Sequence, residues 1–448
     1  MSQERGEEKS TGLKTRHYKV ARSIVPLRQR VPLAALITLL PGERGEEKRT
    51  GLKTRHYTVA RCIALLRQGA RLVAVLVVLL AGPVARGQSA KPAEAIALEQ
   101  QGKLEEAAAV WRAVTAQNPR DAGAFASLGV VLSKEQKYPE AAAAYKKALA
   151  LDRKLPGVEL NLGLAEFKQG NFEAAIAPFR AALVAQPQNA QARALLGLSW
   201  YGAKRFAEAA KQLKVAAKSD PGNTELRRAL AQSCLLAKEY ECALEEFRQI
   251  LQQDPDAAAT HILMGEALDG LSRTPEAIAE FQTAAKAAPR EPEVNFGLGY
   301  LYWKSHQYEN AKIAFESELA VDANHAQSLA YLGDIELKAN HPEEALALLN
   351  QAVKLKDDIR IAYLDLGTIL MQQKQNKEAL AALLRAEKLG PEQPEAHYRL
   401  ARLYREMGNA AASQKEFERV RALHEKTEGD VGSKMAAPAP SLPPSSPN

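Results

Sequence analysis

From residue 88 to residue 427 the apolar positions fall in two short runs for every 34 residues, and each run has helical spacing. Polar, turn-forming clusters such as Lys168-Gln169-Gly170-Asn171 separate the runs. One column of small residues reads Gly129, Gly163, Gly197, Ala231, Gly265, Gly299, Gly333, Gly367 and Ala401, preceded by Leu or Met. Twelve residues later stands a second small column, Ala107, Ala141, Ala175, Ala209, Ala243, Ala277, Ala311, Ala345, Ala379 and Ser413. Four residues beyond it comes a bulky partner: Trp111, Tyr145, Phe179, Leu213, Phe247, Phe281, Phe315, Leu349, Leu383 or Phe417. The two runs predict a helical hairpin in which the small residues permit close approach and the bulky one fills the gap between neighbours. A hairpin of this size cannot bury its apolar face alone, so the units must stack, and a period of this length marks a solenoid.

Prolines close most units, at Pro119, Pro187, Pro221, Pro255, Pro289 and Pro391, while Arg153, Ala323, Asp357 and Glu425 take that place elsewhere. The column pattern resembles the tetratricopeptide repeat, and the likeness covers residues 88 to 427 in ten units starting at 88, 122, 156, 190, 224, 258, 292, 326, 360 and 394. It implies an all-α fold, an α-solenoid coiled as a right-handed superhelix of antiparallel helix pairs, with a concave groove that binds a peptide or protein partner. In the first unit Glu94 and Ala95 replace the Leu-Gly pair and Pro92 lies within the expected helix, so that unit is expected to enter the array as half a hairpin.

Charge separates the ends of the chain from the repeats. Residues 1 to 87 carry 17 Lys and Arg against 6 Glu, whereas residues 88 to 448 carry 43 basic and 47 acidic side chains. The net charge of +7 therefore belongs to the leader, and the acidic repeats exclude nucleic acid as the expected partner. The leader is internally duplicated, with RGEEKSTGLKTRHYKVAR returning as RGEEKRTGLKTRHYTVAR. Arg67 and Arg71 precede an uncharged stretch from Leu72 to Ala85, followed by Ala85-Arg86-Gly87. That order reads as an export signal cleaved after Gly87, since the apolar run is shorter than the roughly 20 residues of a membrane span. An exported, periplasmic or envelope-associated protein is expected, touching a membrane only if the leader is retained as an anchor. Past Thr427 the Gly-, Ala- and Pro-rich composition of residues 428 to 448 predicts a disordered tail.

Candidate chemistry is sparse. His261, His306, His325, His341, His397 and His424 are spread over several units with no pair at metal-ligand spacing, and no nucleophile elbow or phosphate loop occurs. No enzyme activity, metal or cofactor is expected. Cys234 and Cys242 stand in the two helices of one unit where small apolar residues belong, which favours buried thiols; export leaves a disulfide open as the alternative.

The resemblance places the groove on the stripe three before, one after and four after the first small column. There stand Leu160, Leu164 and Phe167; Leu198 and Tyr201; Arg228 and Gln232; and Phe296, Tyr300 and Trp303, the densest aromatic set in the chain. Tyr and Trp are favoured interface anchors. Arg399, Arg402 and Arg405 offer a basic contact in the last unit. The expected function is a non-catalytic scaffold in an envelope or secretion assembly, with a substrate-recruiting subunit of a glycosyltransferase or other enzyme complex as the alternative.

Overall fold

The computed structural model describes residues 91–436, with side chains through Lys426, and contains helices and no strand among them. The expected leader lies outside the described residues. The chain divides within one helix, between Glu246 and Phe247, into two compact bodies. The first holds α1 (Pro92–Gln100) and α2 (Leu104–Gln117), α3 (Ala122–Lys134) and α4 (Tyr138–Leu151), α5 (Val158–Lys168) and α6 (Phe172–Ala185), α7 (Ala190–Gly202) and α8 (Phe206–Ser219), then α9 (Thr224–Leu236) and the start of α10 (Tyr240–Leu251). The second holds α11 (Ala258–Gly270) and α12 (Thr274–Ala287), α13 (Val294–Lys304) and α14 (Tyr308–Val321), α15 (Ala326–Lys338) and α16 (Pro342–Leu355), α17 (Arg360–Gln372) and α18 (Asn376–Leu389), and α19 (Pro394–Glu406) and α20 (Ala410–Ala436).

Each body is an α-solenoid of antiparallel pairs, and the two small columns explain why. A β-carbon added at Gly299 would stand 2.7 Å from the Phe315 ring, and one at Gly163 the same distance from Phe179. The hairpin therefore closes onto the bulky partner with no room to spare. Residues of the Ala column from Ala107 to Ala379 are fully buried, and Ser413 keeps its place there by donating its hydroxyl to the Ala401 carbonyl at 2.7 Å. Within each body consecutive first helices touch along their sides, as α13–α15, α15–α17 and α17–α19 do, more than consecutive second helices. The first helices thus form the inner wall of each body.

The turn inside every hairpin holds one residue in left-handed backbone, at Gly102, Gln136, Gly170, Lys204, Lys238, Ser272, His306, Asn340, Lys374 and Gly408. The amide after it reaches back across the turn, as Lys137 does to the Leu132 carbonyl at 2.9 Å, which satisfies a helix-end acceptor. Between hairpins, Asp121, Asn189 and Asn223 accept from the backbone amides of Ala124, Ala192 and Leu226 as N-caps. Units lacking the closing proline still end in register. Asp152 and Asp322 accept from the amides of Lys154 and Asn324, making side-chain turns that do the proline's work.

Two boundaries differ from expectation. The first unit is a whole hairpin, because Pro92 occupies the first turn of α1, where its missing N–H is harmless. At the other end α20 runs past Thr427 to Ala436, into the expected tail. Gly429 and Gly432 weaken a helix by only about 1 kcal/mol each, and the first proline beyond them is Pro438.

Candidate protein-binding surface

Five residues expected on the open groove are sealed instead: Phe167, Leu198, Tyr201, Gln232 and Phe296. The reason is geometric. A side chain four after the small column leans over the hairpin turn, so Phe167 meets Phe172 edge-on at 5.4 Å and Tyr201 meets Phe206 at 5.6 Å. Neighbouring first helices also flank the stripe, and the Tyr201 hydroxyl donates to Gln232 at 3.1 Å across α7 and α9. Leu198 lies on that same flanked face of α7, where side-by-side packing leaves it 1% exposed. Leu160, Leu164 and Arg228 stay half-buried, and Arg228 is held by Glu225 at 2.6 Å.

The aromatic set of the seventh unit divides. Phe296 is enclosed by Phe315, His325 and Tyr331, with ring centroids 5.0 to 5.9 Å away. Tyr300 and Trp303 remain half-buried and stack at 6.0 Å, and Tyr331 from α15 meets them edge-on at 5.7 and 4.9 Å. The inner wall of the second body therefore presents a three-ring cluster, Tyr300, Trp303 and Tyr331, of which the first two were legible in the sequence. Tyr331 escaped notice because it lies two before the small column, outside the expected stripe.

Charged side chains frame these rings. Lys304 binds Asp269 at 2.6 Å; Asp334 takes both the Lys338 ammonium and the Trp303 indole N–H; Arg399 donates to Asp365 at 3.1 Å. Burial, with the nearby Asp269 charge, pushes the Tyr300 phenol up to about 12. The Tyr331 phenol is raised further, again chiefly by burial. Burial and the Asp334 charge lift the Asp365 carboxyl to about 7 against the pull of Arg399. Glu266 on α11 is pushed up to about 8 by burial alone, and its Oε1 is sealed without a hydrogen-bond partner.

In the last unit Arg399 is thus engaged, while Arg402 and Arg405 are exposed beside Tyr398, itself 49% exposed. The cysteines differ from the favoured expectation: Cys234 and Cys242 form a disulfide. They face each other across the α9–α10 turn with Cα atoms 5.8 Å apart, a separation suited to bridging.

Two of the histidines are fasteners. His261 bonds Glu280 at 2.6 Å and the Pro255 carbonyl at 2.8 Å, and His397 bonds Glu416 at 2.7 Å and the Pro391 carbonyl at 3.2 Å. Arg193 and Arg227 occupy the same register and donate to the Pro187 and Pro221 carbonyls at 2.6 and 3.1 Å. This latch column passes unnoticed in the sequence, since its residue type changes from unit to unit while its geometry does not.

Comparison with known proteins agrees with this architecture. One tetratricopeptide repeat model matches residues 93–156, 160–224, 296–360 and 331–394, and a second matches 201–267, 235–295 and 370–437. The chain belongs to the tetratricopeptide repeat family, whose arrays generally serve as non-catalytic scaffolds for protein interaction. Anaphase-promoting complex subunit 3 of Schizosaccharomyces pombe is 21% identical over 137 residues, which is 31% of this chain and 21% of that protein. The chain thus spans about a fifth of that relative's length. Among solved structures, the APC/C hetero-tetramer Cut9-Hcn1 is 14% identical with a TM-score of 0.44, covering 74% of this chain and 80% of the other. YrrB, described as a TPR protein with an unusual peptide-binding site, is 21% identical with a TM-score of 0.33, covering 43% of this chain and all of its own.

Proposed function

We propose that the protein holds a segment of a partner protein against the inner wall of its second body, with Tyr300, Trp303 and Tyr331 as the anchors. The supporting observation is the partly exposed pair Tyr300 and Trp303, backed by Tyr331, since the hairpin itself already closes through Gly299 and Phe315. Aromatic groups left on a surface after packing mark contact sites, and a few such anchors dominate binding. The export-type leader supports a place in an envelope or secretion assembly, with the array as a non-catalytic organiser.

Replacing Tyr300 and Trp303 together with alanine should weaken capture of the native partner by about 2–4 kcal/mol, read by titration of the copurified complex. Helical circular dichroism should persist, because Asp334 keeps Lys338 when the indole is gone. Undiminished capture by the double variant sinks the reading.

A further inference from the structure

We propose that this wall recognises a cationic side chain of the bound segment, arginine above all, with the Glu266 carboxyl as its acceptor. The inference rests on the groove reading above and gives the partner a chemistry.

Glu266 differs from the other acids facing the same wall. Asp269 has Lys304, Asp334 has Lys338 and the Trp303 indole, and Asp365 has Arg399. Glu266 has no such cation; its Oε1 is covered and has no donor, while the side chain as a whole is only half-buried. A sealed acceptor is unfavourable until something donates to it. Burial pushes its pKa up to about 8, with no neighbouring cation to draw it back.

Register tells where a donor would arrive. Glu266 lies one turn before Asp269 on α11, and Tyr300 lies one turn before Lys304 on α13. Asp269 is bonded to Lys304 at 2.6 Å and its charge acts on the Tyr300 phenol, so the Glu266 level of α11 runs beside the Tyr300 level of α13. A guanidinium entering there meets a carboxyl that accepts its planar fork and an aromatic surface on which its face stacks. The ring cluster already accepts one cation, for the Lys338 ammonium stands 5.5 Å from the Trp303 ring centre. An acidic segment finds no such complement, because Lys304 and Lys338 are committed to Asp269 and Asp334.

The test is a selection of random short displayed peptides on the full chain, run in parallel on wild type and on Glu266→Gln, with Tyr300→Ala/Trp303→Ala as a third arm. Glutamine matches the protonated carboxyl in shape, and circular dichroism with thermal melting verifies that the variant folds. Peptides recovered on wild type should be enriched in arginine or lysine at one position. Their affinity should fall about tenfold or more when that arginine is made citrulline, the loss expected for a charge-assisted bond. On Glu266→Gln both the enrichment and the citrulline penalty should disappear. Peptides that need Tyr300 and Trp303 yet show no basic bias, or a citrulline penalty unchanged in Glu266→Gln, overturn the cation site and leave the groove reading intact. Recovery of no peptide that depends on Tyr300 and Trp303 overturns both.

Discussion

The seventh and tenth units carry the same stripe with opposite outcomes. On α13, Phe296 is sealed and Tyr300 and Trp303 are half-covered; on α19, the matching Tyr398, Arg402 and Arg405 lie open. The helices themselves differ little in length or in the hairpin that backs them. What differs is the next unit. Behind α13, α15 supplies Tyr331, whose ring touches Phe296, Tyr300 and Trp303, whereas no further first helix follows α19 among the described residues. Between these two units, exposure is therefore set by a residue one period away rather than by the stripe.

The sharpest way to break this comparison is to remove the cover. Tyr331→Ala should destabilise the second body by about 3–5 kcal/mol, since it empties a site walled by Phe296, Phe315 and Trp303, while Tyr398→Ala should stay within about 0.5 kcal/mol. Denaturant midpoints for the two variants measure this, and equal losses would refute the account of why one stripe is covered.

A second effect of covering is electrostatic. Glu266 and Asp365 have pKa values raised in the folded state, to about 8 and about 7, from ordinary carboxylate values. A raised carboxyl contributes stability that is complete below the unfolded value and is lost as pH rises through the folded one. The second body should accordingly melt lower at pH 8 than at pH 5, and Glu266→Gln should recover on the order of 2 kcal/mol of that loss at the higher pH. A melting profile over this range that is identical in the variant would show that the carboxyl is well solvated.

The smallest effect concerns the hairpin turns of the tenth unit and of the ninth unit that precedes it. Lys374, before α18, has φ 62°, and Gly408, before α20, has φ 76°. Lys374→Gly should stabilise by about 1 kcal/mol and Gly408→Ala should destabilise by a similar amount, because a β-carbon is disfavoured in left-handed backbone. Thermal melts of the pair check both signs; a loss in Lys374→Gly would mean the lysine side chain contributes more than its backbone gives away.

The fold was legible in the sequence because two small columns and one bulky column encode contacts inside a single unit, as Gly299 against Phe315 illustrates. The inner wall was only half legible. Tyr300 and Trp303 follow from the stripe, but the burial of Phe296 depends on Tyr331, and the burial of Phe167 on its lean toward Phe172. The pairing of Cys234 with Cys242 was equally open, since both thiol and disulfide suit a small-residue position and only the facing of α9 and α10 distinguishes them.

The latch formed by Arg193, Arg227, His261 and His397 has a consequence for how such a chain changes length. Each latch grips a carbonyl six residues upstream of itself, at the close of the preceding unit, and three of the four reach a charged partner nineteen residues downstream, so the whole fastening spans less than one period. Gain or loss of a whole period during descent carries its own fastening with it and strands no loop, so this architecture can be extended or shortened in single steps, each step intact.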